Sequence, residues 1–155
     1  MMRPFYLLTK AIQSNDVETV KNLLQQGVEL NPVWDFSPLA DATRQGNLEI
    51  MKLLIKAGAD VNLQMEEGDT ALMDAALAGN LDAVKILVEA GADVNLKNCS
   101  GEHALSMAAY NAHEEIFYYL EPLTIPKWEP GAKILAEAKR RKKSRNVKGV
   151  WVDTS

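Results

Sequence analysis

A chain of 155 residues, 47% apolar and 25% charged, is long enough for one domain with a substantial core. Its apolar runs last only a few residues, so no membrane-spanning helix is expected, and its one cysteine, Cys99, excludes an internal disulfide and suits a reducing cytoplasm. The net charge of −4 is unevenly spread: residues 1–126 hold 8 Lys+Arg against 18 Asp+Glu, or −10, and residues 127–155 hold 9 against 3, or +6.

In chain order, MMRPFYLLTKAIQ turns polar at Thr9, Lys10 and Gln13, too soon for a secretory signal. NDVETVKNLLQQGVELN (15–31) reads as a helix followed by a glycine turn. NPVWDFSPLAD (31–41) places Trp34 and Phe36 in a short connection, and Ser37 with Pro38 then supplies an N-cap and a first-turn proline for a new helix. GNLEIMKLLIKAGADVN (46–62) and GNLDAVKILVEAGADVN (79–95) align without gaps, 33 residues apart. In each, Asn47 or Asn80 opens a helix and Leu48, Met51, Leu54 or Leu81, Val84, Leu87 forms one buried stripe. Gly58 and Gly91 then end the helix in the left-handed conformation. Thr70-Ala71-Leu72 and His103-Ala104-Leu105 repeat Ser37-Pro38-Leu39 at the same spacing, with His103 a weaker cap than threonine. AHEEIFYYLEP (112–122) matches only the start of the block, and Pro122, Pro126 and Pro130 forbid a continuous helix beyond it.

This period and these residues resemble the ankyrin repeat over about residues 4–122. The resemblance implies an all-α solenoid of stacked helix-turn-helix units joined by β-hairpin-like loops. The repeats would run about 4–31, 32–62, 63–95 and 96–122 within a domain of residues 1–126. Residues 127–155 would form a basic C-terminal extension, partly helical. A helix pair of this kind cannot bury its own face, whereas four stacked units can.

The resemblance implies a protein partner, bound in a concave groove lined by one face of each first helix and by the hairpin tips. Along that face lie Asp41, Arg44 and Gln45, then Asp74, Leu77 and Ala78, then Met107, Tyr110 and Asn111. The tips supply Trp34 and Phe36; Gln64, Glu66, Glu67 and Asp69; and Lys97, Cys99, Ser100 and Glu102. The groove is expected to be acidic in its middle. Trp34 and Phe36 have two roles open to them, binding anchors or a cover for the flank of repeat one. Repeat four has Tyr118 where the others have Lys21, Lys52 and Lys85, and such an exposed ring would invite a lid from Trp128, Ile134 and Leu135.

Nothing in the sequence assembles a catalytic centre. His103 and His113 both stand at helix starts, Cys99 and His103 lack the further ligands a structural zinc needs, and no phosphate-binding glycine loop occurs. No enzyme activity, cofactor or metal is expected.

The tail gathers Lys139, Arg140, Arg141, Lys142, Lys143, Arg145 and Lys148 after a short helix that carries Ile134, Leu135 and Ala138. Such a run suits nucleic acid, a membrane surface, a localisation signal, a solvated end, or the acidic body of its own chain. If all seven charges met phosphates, duplex DNA binding would show a log–log salt slope of about −6. The acidic body argues against that, and no integral membrane association is expected. The final GVWVDTS alternates like a short strand that could join a partner's sheet edge. A cytoplasmic adaptor or stoichiometric inhibitor fits these features, one version being an immunity or antitoxin-type protein whose acidic groove blocks a basic toxin. The rival is a nucleic-acid binder working through residues 139–148.

Overall fold

The computed structural model describes residues 3–31, 36–125 and 130–150, with side chains as far as Arg145. Among these residues the chain is all-α. Four helix pairs follow one another: α1 (Pro4–Gln13) and α2 (Val17–Gln25), α3 (Pro38–Gln45) and α4 (Leu48–Lys56), α5 (Ala71–Ala78) and α6 (Leu81–Glu89), α7 (Ala104–Tyr110) and α8 (Glu114–Leu120). A 3-10 turn (Glu121–Leu123) and a long helix, α9 (Gly131–Val150), complete it. The first helices stack in one layer, α1 on α3 on α5 on α7, and the second helices in another, α2 on α4 on α6 on α8.

Small residues set the spacing of the first layer. Ala40, Ala42, Ala71, Ala75, Ala76, Ala104, Ala108 and Ala109 are all buried, so the backbones of neighbouring repeats approach closely. Larger side chains fill the space between layers, with Leu39, Met51, Leu54, Leu72, Leu87, Leu105 and Phe117 fully buried. Of the two expected stripes, Met51, Leu54, Val84 and Leu87 are fully enclosed, while Leu48 and Leu81 at the helix starts are half-buried.

Helix ends follow local chemistry. The Ser37 and Thr70 hydroxyls accept from Ala40 N and Met73 N at 3.2 and 3.3 Å, and Asn47 and Asn80 cap α4 and α6 from Ile50 N and Ala83 N. His103 caps α7 through Nδ1, which accepts from Ser106 N at 3.0 Å, while Ser106 Oγ accepts from His103 N at 3.0 Å. This reciprocal capping box gives repeat four a fuller cap than the isolated His-for-Thr exchange suggests.

The repeated asparagine of each G-A-D-V-N block joins one repeat to the next. Asn31 donates to Gly58 O and accepts from Asp60 N; Asn62 does the same with Gly91 O and Asp93 N. Asn95 continues the series by accepting from Ile125 N at 2.8 Å, so the segment after α8 takes the place of a following block.

The stack continues beyond α8. Helix α9 lies on α7 as α7 lies on α5, with Leu135 in the shared core and Ile134 half-buried. The sequence suggests a short helix before the basic run, but α9 carries that run within it. Alanine, glutamate, lysine and arginine are strong helix formers, and no proline follows Pro130. Lys139 Nζ meets Glu114 Oε2, at the start of α8, at 2.7 Å. Tyr118 is not covered by this helix; it stays exposed, edge-on to Phe117 at 5.4 Å between ring centroids. Gly149 and Val150, the start of the GVWVDTS segment expected to be strand-like, are instead the last residues of α9, while Trp128, the side chain of Lys148 and residues 151–155 lie outside the described residues.

Candidate partner-binding groove

Positions three and four apart share a helix face, and the first-layer helices present one such face away from the second layer. On α3 this row is Asp41, Arg44 and Gln45; on α5, Asp74, Leu77 and Ala78; on α7, Met107 and Tyr110, with Asn111 at its C-cap. Depth varies along each row. The residue in the first turn is sunk, with Asp41 buried, Asp74 half-buried and Met107 buried. The residues of the last turn are open, with Leu77 50% and Tyr110 51% exposed beside exposed Arg44, Gln45 and Asn111.

Arg44 links the two acids. Its Nε stands 3.0 Å from Asp74 Oδ2 of the next repeat, and its guanidinium also lies near Asp41 on its own helix. It reaches Met65 Sδ in the hairpin above at 3.3 Å. Burial pushes the Asp41 carboxyl above its ordinary range, offset in part by Arg44 and by Gln13 of repeat one. Burial pushes Asp74 up to about 6, with Arg44 opposing and the nearby charge of Asp69 adding to the rise. Among the described residues, Asp41 Oδ2 finds no hydrogen-bond partner, and Asp74 Oδ2 has the Arg44 contact without an aligned hydrogen bond. The centre of the groove therefore holds two poorly satisfied carboxylates bridged by one half-exposed cation.

The hairpin tips are more tied down than their polarity suggests. Gln64 Nε2 donates to Gly68 O within its own hairpin and to Lys97 O in the next. Asp69 Oδ1 accepts from Asn98 Nδ2 at 2.9 Å, and Cys99 N donates to Glu67 O at 2.9 Å. Gly68 has φ +78° and sits where an added Cβ would come within 3.0 Å of the Asn98 backbone. Gln64 and Asp69 thus serve the junction between hairpins, leaving Glu66 and Glu67 exposed and Glu102 half-buried on the tips.

Phe36 is half-buried and meets Phe5 of α1 edge-on, with 5.3 Å between centroids, so its ring covers the flank of repeat one. Trp34 lies outside the described residues. At the other end, α9 adds a wall to the groove: a cavity of about 420 Å³ opens between Tyr110 and Asn111 on α7 and Arg141 and Arg145 on α9. The tail cations Arg140, Arg141, Lys142, Lys143 and Arg145 are all exposed. Three of these relationships escape a linear reading: the Arg44–Asp74 pair, the Gln64 bridge and the α9 wall. The 33-residue offset between Gln64 and Lys97 was the available signal for the second.

His113 also has a structural place. Its ring lies against Gly79, where any side chain would collide with it, and its Nε2 stands 3.0 Å from Leu77 O. Among the described residues no helix is long and apolar enough to cross a membrane.

A family model for ankyrin repeats, three copies in length, matches residues 5–65 and again 39–125. An ankyrin repeat protein of fowlpox virus (strain NVSL) is 46% identical over 56 residues, 36% of this chain and 13% of that protein. The mouse 2-5A-dependent ribonuclease is 36% identical over 66 residues, 41% of this chain and 9% of the ribonuclease. An E3 ubiquitin-protein ligase of Arabidopsis thaliana is 37% identical over 70 residues, 43% of this chain and 14% of the ligase. The chain thus spans a small part of the length of these relatives. Ankyrin repeats are generally non-catalytic protein–protein interaction modules. With the matches running from residue 5 to residue 125, across all four helix pairs, the chain belongs to the ankyrin repeat family.

Proposed function

We propose that this protein is an adaptor or stoichiometric inhibitor that binds a protein partner through the groove and the hairpin tips. The observation that carries this reading is the cluster of Asp41, Arg44 and Asp74 beside exposed Leu77 and Tyr110. Asp41 and Asp74 are enclosed and answered by one arginine, so they leave a net negative field that, with exposed Glu66 and Glu67 on the tips, favours a cationic group of a partner over these acids. The exposed Leu77 and Tyr110 beside them provide apolar contact, tyrosine being common among energetically dominant interface residues. A partner with a basic surface fits this chemistry, and the immunity or antitoxin-type inhibitor is its most specific version. Capture from native lysate on the wild-type chain and on a Leu77→Ala/Tyr110→Ala chain tests it, followed by reconstitution with the purified partner. Loss of the partner by the variant supports the groove. Equal capture, or intact binding after Glu66, Glu67, Asp69 and Asp74 are changed together to Gln and Asn, sinks it.

The second reading, nucleic-acid binding through residues 139–148, draws on the six exposed cations between Lys139 and Arg145. Mobility shifts of the full chain at two salt concentrations separate the two, since phosphate binding weakens steeply with salt.

A further inference from the structure

The basic run is part of a groove-lining helix rather than a free tail. Within α9, Ile134, Glu137, Arg141 and Arg145 recur every three or four residues and line the cavity of about 420 Å³ that Tyr110 and Asn111 close from α7. Lys142 also reaches this cavity. On the other side of the same helix, Ala136, Lys139, Arg140 and Lys143 line a second cavity, which shares Ala112 and Lys142 with the first but includes neither Tyr110 nor Asn111. Lys139 on that side is engaged by Glu114. At 3.6 residues per turn the two sets lie on opposite faces.

The Tyr110 cavity therefore joins an aromatic ring and an amide of the groove to Arg141, Lys142 and Arg145, against the one carboxylate of Glu137. Among the described residues none of these three cations has an ion-pair partner. Followed along the first layer, the groove changes sign, from Asp41 and Asp74 through Leu77 and Tyr110 to the arginines of α9.

We infer that the Arg141–Arg145 face of α9 and Tyr110 form a subsite for an acidic segment of the bound polypeptide, making α9 a fourth recognition helix of the groove after α3, α5 and α7. This rests on the groove reading and deepens it: the partner segment is bipolar, basic where it meets repeats two and three and acidic where it meets α9. Guanidinium groups bind carboxylates in a planar, two-pronged geometry, and the half-exposed Tyr110 ring gives the segment an apolar floor. A peptide suits the site better than duplex nucleic acid, because the acidic groove adjoins the cations directly and repels a continuous phosphate backbone.

The test uses the full chain and a fluorescein-labelled random copolymer of glutamate and tyrosine, read by anisotropy. Arg141→Glu/Arg145→Glu is compared with Arg140→Glu/Lys143→Glu, which makes the same charge change on the opposite face. The expected result is a loss of about tenfold or more in affinity for the first variant and little for the second. Circular dichroism melts confirm that both variants fold. Equal losses, or no binding of the copolymer to the wild type, overturn the subsite. Tighter binding of a duplex DNA of similar charge, lost with the same arginines, also overturns it in favour of nucleic acid. Because partner capture through Leu77 and Tyr110 is measured separately, the α9 subsite can fail while the groove reading stands.

Discussion

Arg44 of the second repeat stands 3.0 Å from Asp74 of the third, and the pair crosses the floor of the groove between the neighbouring helices α3 and α5. The pair offsets only part of the burial of Asp74, whose carboxyl remains pushed up to about 6 from an ordinary 3.8. A raised carboxyl contributes stability that is fully present below pH 3.8 and lost as pH rises through about 6. Asp74→Asn removes that titration. The variant should match the wild type near pH 4 and exceed it at pH 7.5 by about 1 kcal/mol, allowing for solvent screening. Urea midpoints at the two pH values check this, and identical midpoints at pH 7.5 would refute it.

His103 works in the opposite sense. Its cap needs an unprotonated Nδ1, and burial, with a smaller contribution from the charge of Lys97, holds its pKa below 6.5. Its contribution is present above pH 6.5 and lost as pH falls below it. His103→Thr, which copies Thr70, should keep the cap and remove this pH dependence. His103→Ala should cost about 1 kcal/mol at pH 7.5. A His103→Thr protein that still lost stability from pH 7.5 to 5.5, where Asp74 alone predicts a gain, would exclude the role.

Much of the fold was legible because the repeat pattern is a string of local instructions. Ser37, Thr70, Asn47 and Asn80 each cap the helix they precede, and Gly46, Gly79, Gly58 and Gly91 each turn the chain where they stand. The asparagines at 31, 62 and 95 were visible as repeated letters, but their partners lie about thirty residues away, in the next repeat. The depth of Asp41 was hidden for the same reason. It sits on the face that helical spacing assigns to the groove, yet Gln13 of repeat one and Arg44 close over it. The form of α9, one long helix stacked like a further repeat, was the least legible feature. Ile134 and Leu135 pointed to a tail packed on the repeat-four end, and both do pack there, but no G-A-D-V-N block precedes α9 to mark it as a further member of the stack.

Ala112 marks a local departure with a measurable cost. The turns between first and second helices place Gly46 and Gly79 at φ 72° and 78°, and Asn15 at 60°, but repeat four places an alanine at φ 56°. A Cβ is disfavoured there by roughly 1–2 kcal/mol, whereas glycine adopts the conformation freely and gives back some of that through a looser unfolded chain. Ala112→Gly should raise stability by about 0.5–1 kcal/mol, seen as a higher urea midpoint at unchanged slope. A lower midpoint would mean that the methyl group contributes packing between α7 and α9 that outweighs the backbone strain.

The attachment of α9 rests on packing more than on charge, and two substitutions separate these causes. Leu135 is 3% exposed and sits in the core shared with α7, so Leu135→Ala should cost about 2–4 kcal/mol and expose the repeat-four end. The Lys139–Glu114 pair is short, but both side chains are nearly half exposed, and solvent screens such pairs. Lys139→Ala should therefore cost less than about 1 kcal/mol, and less still in high salt. Hydrogen exchange of the α7 and α9 amides reads both variants. Leu135→Ala should speed exchange in α9 and along the α7 face beneath it, leaving α3 and α5 protected. Lys139→Ala should leave all four helices as slow as in the wild type. If the lysine substitution loosened α9 more than the leucine substitution, the helix would be held by its ion pair, and its place as a fifth member of the stack would have to be abandoned.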